Sequence, residues 1–163
     1  MNFKKKISLF SRLCILIMIF VVPMNAKAAT IDESLPNPES GWQRYDDSDT
    51  NIIYSGAWNS GNMSPYYNKT YHQISSTSSS INFKFYGSKL RVIEAVNTNR
   101  GTDVQITIDG VNYTYSENGS IKYQILCFEK LDLALKIHTV KITCSNSNLE
   151  FGLDAIDIDS DGY

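Results

Sequence analysis

The sequence predicts an all-β protein, an antiparallel β-sandwich of the jelly-roll type. Segments 81–86, 104–108 and 140–144 alternate apolar and polar residues, which is typical of strands that bury one face. Asp109-Gly110 and Asn118-Gly119 stand between such segments and favour the tight turns of antiparallel hairpins. Helical periodicity is absent apart from a single turn, so we exclude a parallel βαβ architecture. Roughly nine or ten short strands suit two stacked sheets.

The first 28 residues are predicted to be a signal peptide. Four basic residues precede an apolar run over 13–23, and Ala26 and Ala28 supply the small residues that a signal peptidase reads. The apolar run is too short for a membrane anchor, which needs roughly 20 residues. We therefore expect a secreted, extracellular protein.

The rest of the chain is predicted to divide into a leader or linker over 29–41 and the sandwich over 42–163. Removal of the signal peptide would take away five of the 15 basic residues and none of the 17 acidic ones, so the formal charge would move from −2 to −7. Nucleic-acid backbones and anionic membrane surfaces attract clustered Lys and Arg. We therefore expect no nucleic-acid partner and no membrane insertion.

The sequence lacks the common catalytic motifs. HExxH, GxSxG, a phosphate loop, GxGxxG and CxxC are all absent. Two carboxylates suffice for a glycosidase, but a small sandwich offers no deep cleft that would raise the pKa of one of them. We therefore predict no catalytic residue and no enzyme. Cys127 and Cys144 are interpreted as buried apolar residues, and their spacing also leaves a disulfide open.

Six segments stand in the order expected of a carbohydrate-binding-module-like domain. They are 41–58, 81–93, 99–110, 123–133, 138–142 and 153–158. The sequence resembles the galactose-binding-like jelly-roll domains of secreted bacterial proteins. This resemblance implies eight or nine strands, no catalysis, and recognition of a glycan or another surface ligand through loops or a sheet face. We expect no required cofactor.

Two loops carry the candidate ligand-binding residues. Sugar rings stack on aromatic side chains, and their hydroxyls pair with polar groups. Segment 55–73 sets aromatic residues among Gly, Ser, Asn and Pro, which is typical of loops; some of them could instead be core residues. These aromatic residues are Trp58, Tyr66, Tyr67 and Tyr71. A second loop contributes Asn97 and Arg100, whose guanidinium could hold hydroxyls or a carboxylate.

The segment Asp157–Tyr163 raises the question of calcium. Its alternating carboxylates and glycine fit the first half of a calcium loop, but the twelfth-position Glu and the flanking helices are missing. In the resembled sandwiches the last strand lies beside the first, and some members hold a structural calcium there. The resemblance implies that such an ion would be held by aspartates from both ends, while solvated strand-end aspartates are the other interpretation. The candidates are Asp154, Asp157, Asp46 and Asp47.

The function predicted from the sequence is that of a secreted, non-catalytic carbohydrate-binding module. Its ligand would be a cell-surface polysaccharide or another extracellular glycan, bound through the loop aromatics. Two alternatives stay open. One is an adhesin or matrix component that uses the same aromatics as a hot spot for a protein partner. The other is a small secreted enzyme that acts on glycans.

Overall fold

The computed structural model describes residues 28–163, in which nearly all regular structure is β-strand. Residues 1–27 carry most of the predicted signal peptide and lie outside the described range, so the signal peptide, the domain limits and secretion remain predictions. In the described range no helix is long and apolar enough to cross a membrane.

Twelve strands and one short 3-10 turn, over Tyr67–Lys69, make up the regular structure of residues 28–163. The strands are β1 (Trp42–Asp46), β2 (Ile53–Ser55), β3 (Asn59–Asn62), β4 (Thr70–Ile74), β5 (Ser80–Gly87), β6 (Leu90–Val96), β7 (Val104–Ile108), β8 (Val111–Tyr115), β9 (Lys122–Lys130), β10 (Lys136–Cys144), β11 (Phe151–Leu153) and β12 (Ala155–Asp159).

The strands form three antiparallel sheets. One has the order β1-β12-β6-β9, the second β2-β5-β10-β7-β8, and the third, small sheet β11-β4-β3. The predicted antiparallel β-sandwich is confirmed. The first and last strands are neighbours, with Trp42 opposite Asp159 and Asp46 opposite Ala155, as the resemblance implied.

Alternation along the strands builds the core. On β5, Ile81, Phe83 and Phe85 are buried, and on the paired β10 the inward residues include Val140 and Ile142. Each such side chain contributes about 1.5–3 kcal/mol by leaving water. The inner faces of the two larger sheets supply most of one continuous apolar cluster.

The segment predicted as a leader or linker contacts the sandwich. Leu35 is buried with Ile93 and Leu126 in a second apolar cluster. The backbone N–H of Leu35 donates to the carbonyl of Gln124, at 2.7 Å. The buried side chain and the backbone bond attach this segment to β9.

The two predicted hairpin turns have different outcomes. Asp109 and Gly110 have φ values of 50° and 84°, the left-handed backbone of a tight hairpin turn, and they join the paired strands β7 and β8. The hairpin predicted at Asn118-Gly119 is wrong, because β8 pairs only with β7 while β9 pairs with β6 in the other large sheet. Asn118 lies where the chain crosses between sheets and forms a bridge with Asn97.

Candidate functional site

The small sheet β11-β4-β3 carries part of the predicted binding loop, and its two faces hold different residues. Phe151 is paired with Ile74, three residues along β4 from Tyr71, so Phe151 and Tyr71 point to opposite faces. Trp58 packs edge-on against Phe151, with ring centroids 5.1 Å apart, and its Nε1 donates to the carbonyl of Ser55 at 3.0 Å. Trp58 therefore serves as packing on the face away from Tyr71.

Three tyrosines cluster on the other face. The ring of the buried Tyr66 stacks on Tyr71, with centroids 4.9 Å apart, and meets the edge of Tyr123 at 5.2 Å. Tyr71 and Tyr123 are half-buried, and neither hydroxyl has a hydrogen bond within residues 28–163. These three rings, together with Gln73 and Arg100, are called the tyrosine face below.

Arg100 holds the tyrosine face together from beneath. Its side chain is buried, and its Nη2 donates to the Tyr66 hydroxyl at 3.1 Å and to Oε1 of Gln73 at 2.9 Å. The backbone N–H of Arg100 donates to the carbonyl of Asn97, so the two predicted polar residues share one turn. Arg100 supports the tyrosines but does not itself reach the surface.

Tyr67 lies apart from the other predicted aromatics. Its backbone N–H donates to Oδ1 of Asp154 at 2.7 Å, and its ring lies under the guanidinium of Arg44, 5.3 Å from the ring centroid. The structure thus brings Tyr66, Tyr71 and Arg100 together and separates Trp58 and Tyr67 from them. The ligand-binding role of the six residues stays a prediction.

An acidic cluster lies around Arg100. Nη1 of Arg100 is 2.8 Å from Oε1 of Glu94 and 3.6 Å from Oε2 of Glu117, and both carboxylates are fully buried. Oε2 of Glu117 also accepts the backbone N–H of Gly152 at 3.1 Å. Buried oxygens without a hydrogen-bond partner remain on Glu94, Glu117 and Asp154.

Burial raises the pKa values of these acids. It raises the pKa of Glu94 to about 7, even though Arg100 lowers it, and the pKa of Glu117 well above its usual range. Burial, followed by the charge of Glu94, raises the pKa of Asp154 to about 8. A single guanidinium therefore faces two buried carboxyl groups, Glu94 and Glu117. The pKa values of all three acids lie above their ordinary range.

The four aspartates predicted as calcium ligands have protein partners. Both oxygens of Asp157 accept from Arg44, at 2.6 and 2.8 Å, and one oxygen of Asp154 accepts from Tyr67. Asp46 and Asp47 share the hydroxyl of Thr70. Among residues 28–163, no group of three His, Cys, Asp or Glu side chains is placed to hold a metal ion. A structural calcium stays a prediction, and these contacts give it no support.

Cys127 and Cys144 are buried and unbridged.

A groove of about 940 Å³ opens along β5 and β10 and is bounded by segment 49–53 and Tyr163. Its lining mixes apolar and aromatic side chains with Asn, Thr and Lys.

Sequence reasoning missed three members of these surfaces. Gln73 and Tyr123 complete the tyrosine face, but they belong to strands β4 and β9, whereas the search for ligand residues favoured loops. Tyr86 lines the groove. It shares the outward side of β5 with Asn82 and Lys84, so the alternation in segment 81–86 could have indicated it.

Two curated relatives match most of this chain. It is 33% identical over 140 residues, 84% of its length, to the A type blood alpha-D-galactosamine galactosaminidase of Flavonifractor plautii. It is 30% identical over 107 residues, 65% of its length, to the A type blood N-acetyl-alpha-D-galactosamine deacetylase of the same organism. The chain spans only 12% and 14% of these two relatives. No family model matches the sequence.

A solved structure supports the fold. The family 35 carbohydrate-binding module of Cellvibrio japonicus superposes with a TM-score of 0.56 at 11% identity, covering 75% of this chain and 96% of that one. An identity this low shows the fold alone. The jelly-roll resemblance therefore holds at the level of architecture.

The prediction that this protein is not an enzyme is contradicted. Both curated relatives are named as enzymes that act on galactosamine-type sugars. The absence of catalytic motifs and of a deep cleft did not exclude an enzyme, because the two carboxylates of a glycoside hydrolase are not marked by any short sequence pattern.

Proposed function

We propose that this chain recognises glycans in the service of a carbohydrate-active enzyme, and that its ligand is the galactosamine-type sugar of the A type blood antigen. The observation that carries the proposal is the 33% identity to the galactosaminidase over 140 residues. The second relative is named for the N-acetylated form of the same sugar. The predicted signal peptide supports an extracellular place of action.

The tyrosine face is the proposed contact surface. Tyr71 and Tyr123 offer half-buried rings on which the apolar face of a sugar can stack, and their hydroxyls are free to bond sugar hydroxyls. Arg100 and Tyr66 fix the rings from below, which reduces the entropy lost on binding. This arrangement supplies the apolar platform with a few polar groups that is typical of small-ligand sites.

Calorimetry with the A-type trisaccharide, its deacetylated form and the H-type disaccharide tests the proposal. We expect binding of one or both A-type sugars and none of the H-type sugar. Tyr71→Ala should weaken the binding by roughly tenfold, the order of one lost aromatic contact. Tyr86→Ala on the five-stranded sheet is the matched control and should leave it unchanged. Equal affinity for the H-type sugar, or equal loss in both variants, would overturn the proposal.

A further inference from the structure

The groove runs over the outer face of the five-stranded sheet and extends past β5 to Tyr45, Ile156 and Ile158 of the other large sheet. It shares no lining residue with the tyrosine face. On β5 and β10 the residues that point outward are opposite one another in register: Tyr86 pairs with Ile137, Lys84 with Thr139, and Asn82 with Lys141. Their neighbours along the strands, such as Phe83 and Val140, point into the core. The outward residues therefore form one continuous surface of aromatic, apolar and polar side chains.

One end of the groove is an aromatic platform. The rings of Tyr86 and Tyr163 are stacked, with centroids 5.3 Å apart and an angle of 11° between their planes. The backbone N–H of Tyr86 donates to a backbone oxygen of Tyr163 at 2.7 Å, which fixes the pair. Tyr163 is 71% exposed and Ile137 is 56% exposed. A sugar ring can stack on this exposed apolar surface.

The other half of the groove carries two lysines without partners. Lys84 and Lys141 are exposed diagonal neighbours on adjacent strands, which places their Cα atoms about 7–8 Å apart. Neither has an ion pair or a ring contact within residues 28–163, whereas Lys136 is paired with Asp109 and Lys89 lies over the Trp42 ring.

The charge of the lining contrasts with that of the chain. The residues after the predicted signal peptide hold ten basic and 17 acidic side chains. In the groove the acidic side chain is Asp49, and no ion pair joins it to either lysine within residues 28–163. Lys84 and Lys141 therefore leave two unpaired positive charges in one groove of an acidic protein.

We infer that this groove binds a glycan chain built from uronic acids. A sugar ring would stack on Tyr86 and Tyr163, and Lys84 and Lys141 would each bind the carboxylate of a nearby sugar. An open groove can accommodate a polysaccharide chain, and two separate lysines can pair with carboxylates that repeat along that polysaccharide. Thr107 and Thr139 add hydroxyls for the sugar hydroxyl groups. This second site is independent of the tyrosine face and of the sugar proposed for it.

Titration with hexagalacturonate, and with its neutral methyl ester, tests the inference on the full chain. We expect the acid form to bind, the ester to bind at least tenfold more weakly, and the affinity to fall as salt is added. The double variant Lys84→Met, Lys141→Met keeps the apolar stems and should lose roughly tenfold or more in affinity. Lys69→Met, Lys122→Met changes the net charge equally on other exposed lysines and should bind like the wild type.

Several outcomes would overturn the inference. They are equal binding of acid and ester, equal loss in both double variants, and stronger binding of a sulfated galactan or a sialylated glycan than of the uronate. Thermal melting of each variant separates lost binding from lost folding, and Tyr163→Ala adds an exposed substitution that leaves the core intact. Tyr71→Ala should retain uronate binding, so failure here and failure of the A-type sugar proposal are distinguishable.

Discussion

Arg44 on the first strand and Asp157 on the last strand form a buried ion pair. They lie opposite each other in the β1–β12 pairing, with side chains 1% and 0% exposed. The guanidinium binds both carboxylate oxygens, and its Nη1 donates to the carbonyl of Leu35 at 2.7 Å. Removing one member of such a pair leaves the other charge buried without a partner, which lowers the free energy of unfolding.

We expect Asp157→Asn to lower the free energy of unfolding by about 3–5 kcal/mol, because Arg44 would remain buried without its counter-charge. Urea denaturation measures the change. Asp161→Asn, at an exposed aspartate, is the matched control and should stay within about 0.5 kcal/mol of the wild type. Equal stability of the two variants would contradict the structural role of the pair.

At the scale of elements, β11 holds the small sheet against the acidic cluster through a glycine. A Cβ built on Gly152 would lie 2.5 Å from the carbonyl oxygen of His72 and 2.8 Å from Nη1 of Arg100. Side chains do not tolerate such contacts, so β11 and β4 can approach closely only with glycine at this position.

Gly152→Ala is therefore expected to push β11 away from β4 and to cost about 1–3 kcal/mol of stability. It should also weaken the proposed binding of A-type sugars, because Arg100 fixes Tyr66 on the tyrosine face. Gly119→Ala is the control, since its Cβ would come no closer than 3.8 Å to Val96. Thermal melting and calorimetry measure both effects. An unaltered melting temperature in Gly152→Ala would rule out the close packing.

The strands themselves were more predictable than their partners. Alternation in segments 81–86, 104–108 and 140–144 identified β5, β7 and β10, because burial on one face imposes a period of two. The turn dipeptide Asn118-Gly119 predicted a hairpin at a place where the chain instead crosses to the other large sheet. A turn dipeptide encodes local backbone geometry, whereas the choice of partner strand depends on contacts that are distant in sequence.

Across the whole molecule, buried acids make stability depend on pH. The pKa values of Glu94 and Asp154, about 7 and 8, lie above those of the unfolded chain, so the folded state binds more protons. Their contribution to stability is complete below pH 4 and is lost as pH rises to about 8. In the opposite direction, Lys136, with Thr139 and His138, holds the pKa of Asp109 below its usual range.

We expect the free energy of unfolding to fall between pH 4.5 and pH 8, with about 3 kcal/mol from Glu94 alone. Denaturation at fixed ionic strength across this range measures the slope. Glu94→Gln should flatten the slope, whatever its effect on absolute stability. Asp103→Asn, at an exposed carboxylate, should not change it. A stability that rises over this range in the wild type would contradict the raised pKa values of the buried acids.

The sequence by itself determined the all-β class and the positions of β5, β7 and β10, because alternation is local. The resemblance, which covers nearly all of the chain after residue 40, implied the pairing of the first strand with the last. Only the tertiary structure decided that Trp58 packs inward, that Tyr66 and Arg100 are buried supports, and that Asp157 binds Arg44. It also brought Lys84, Lys141, Tyr86 and Tyr163 into one groove. The face of the sheet on which a side chain lies depends on strand register and on packing between sheets, and the residues next to it in the sequence determine neither.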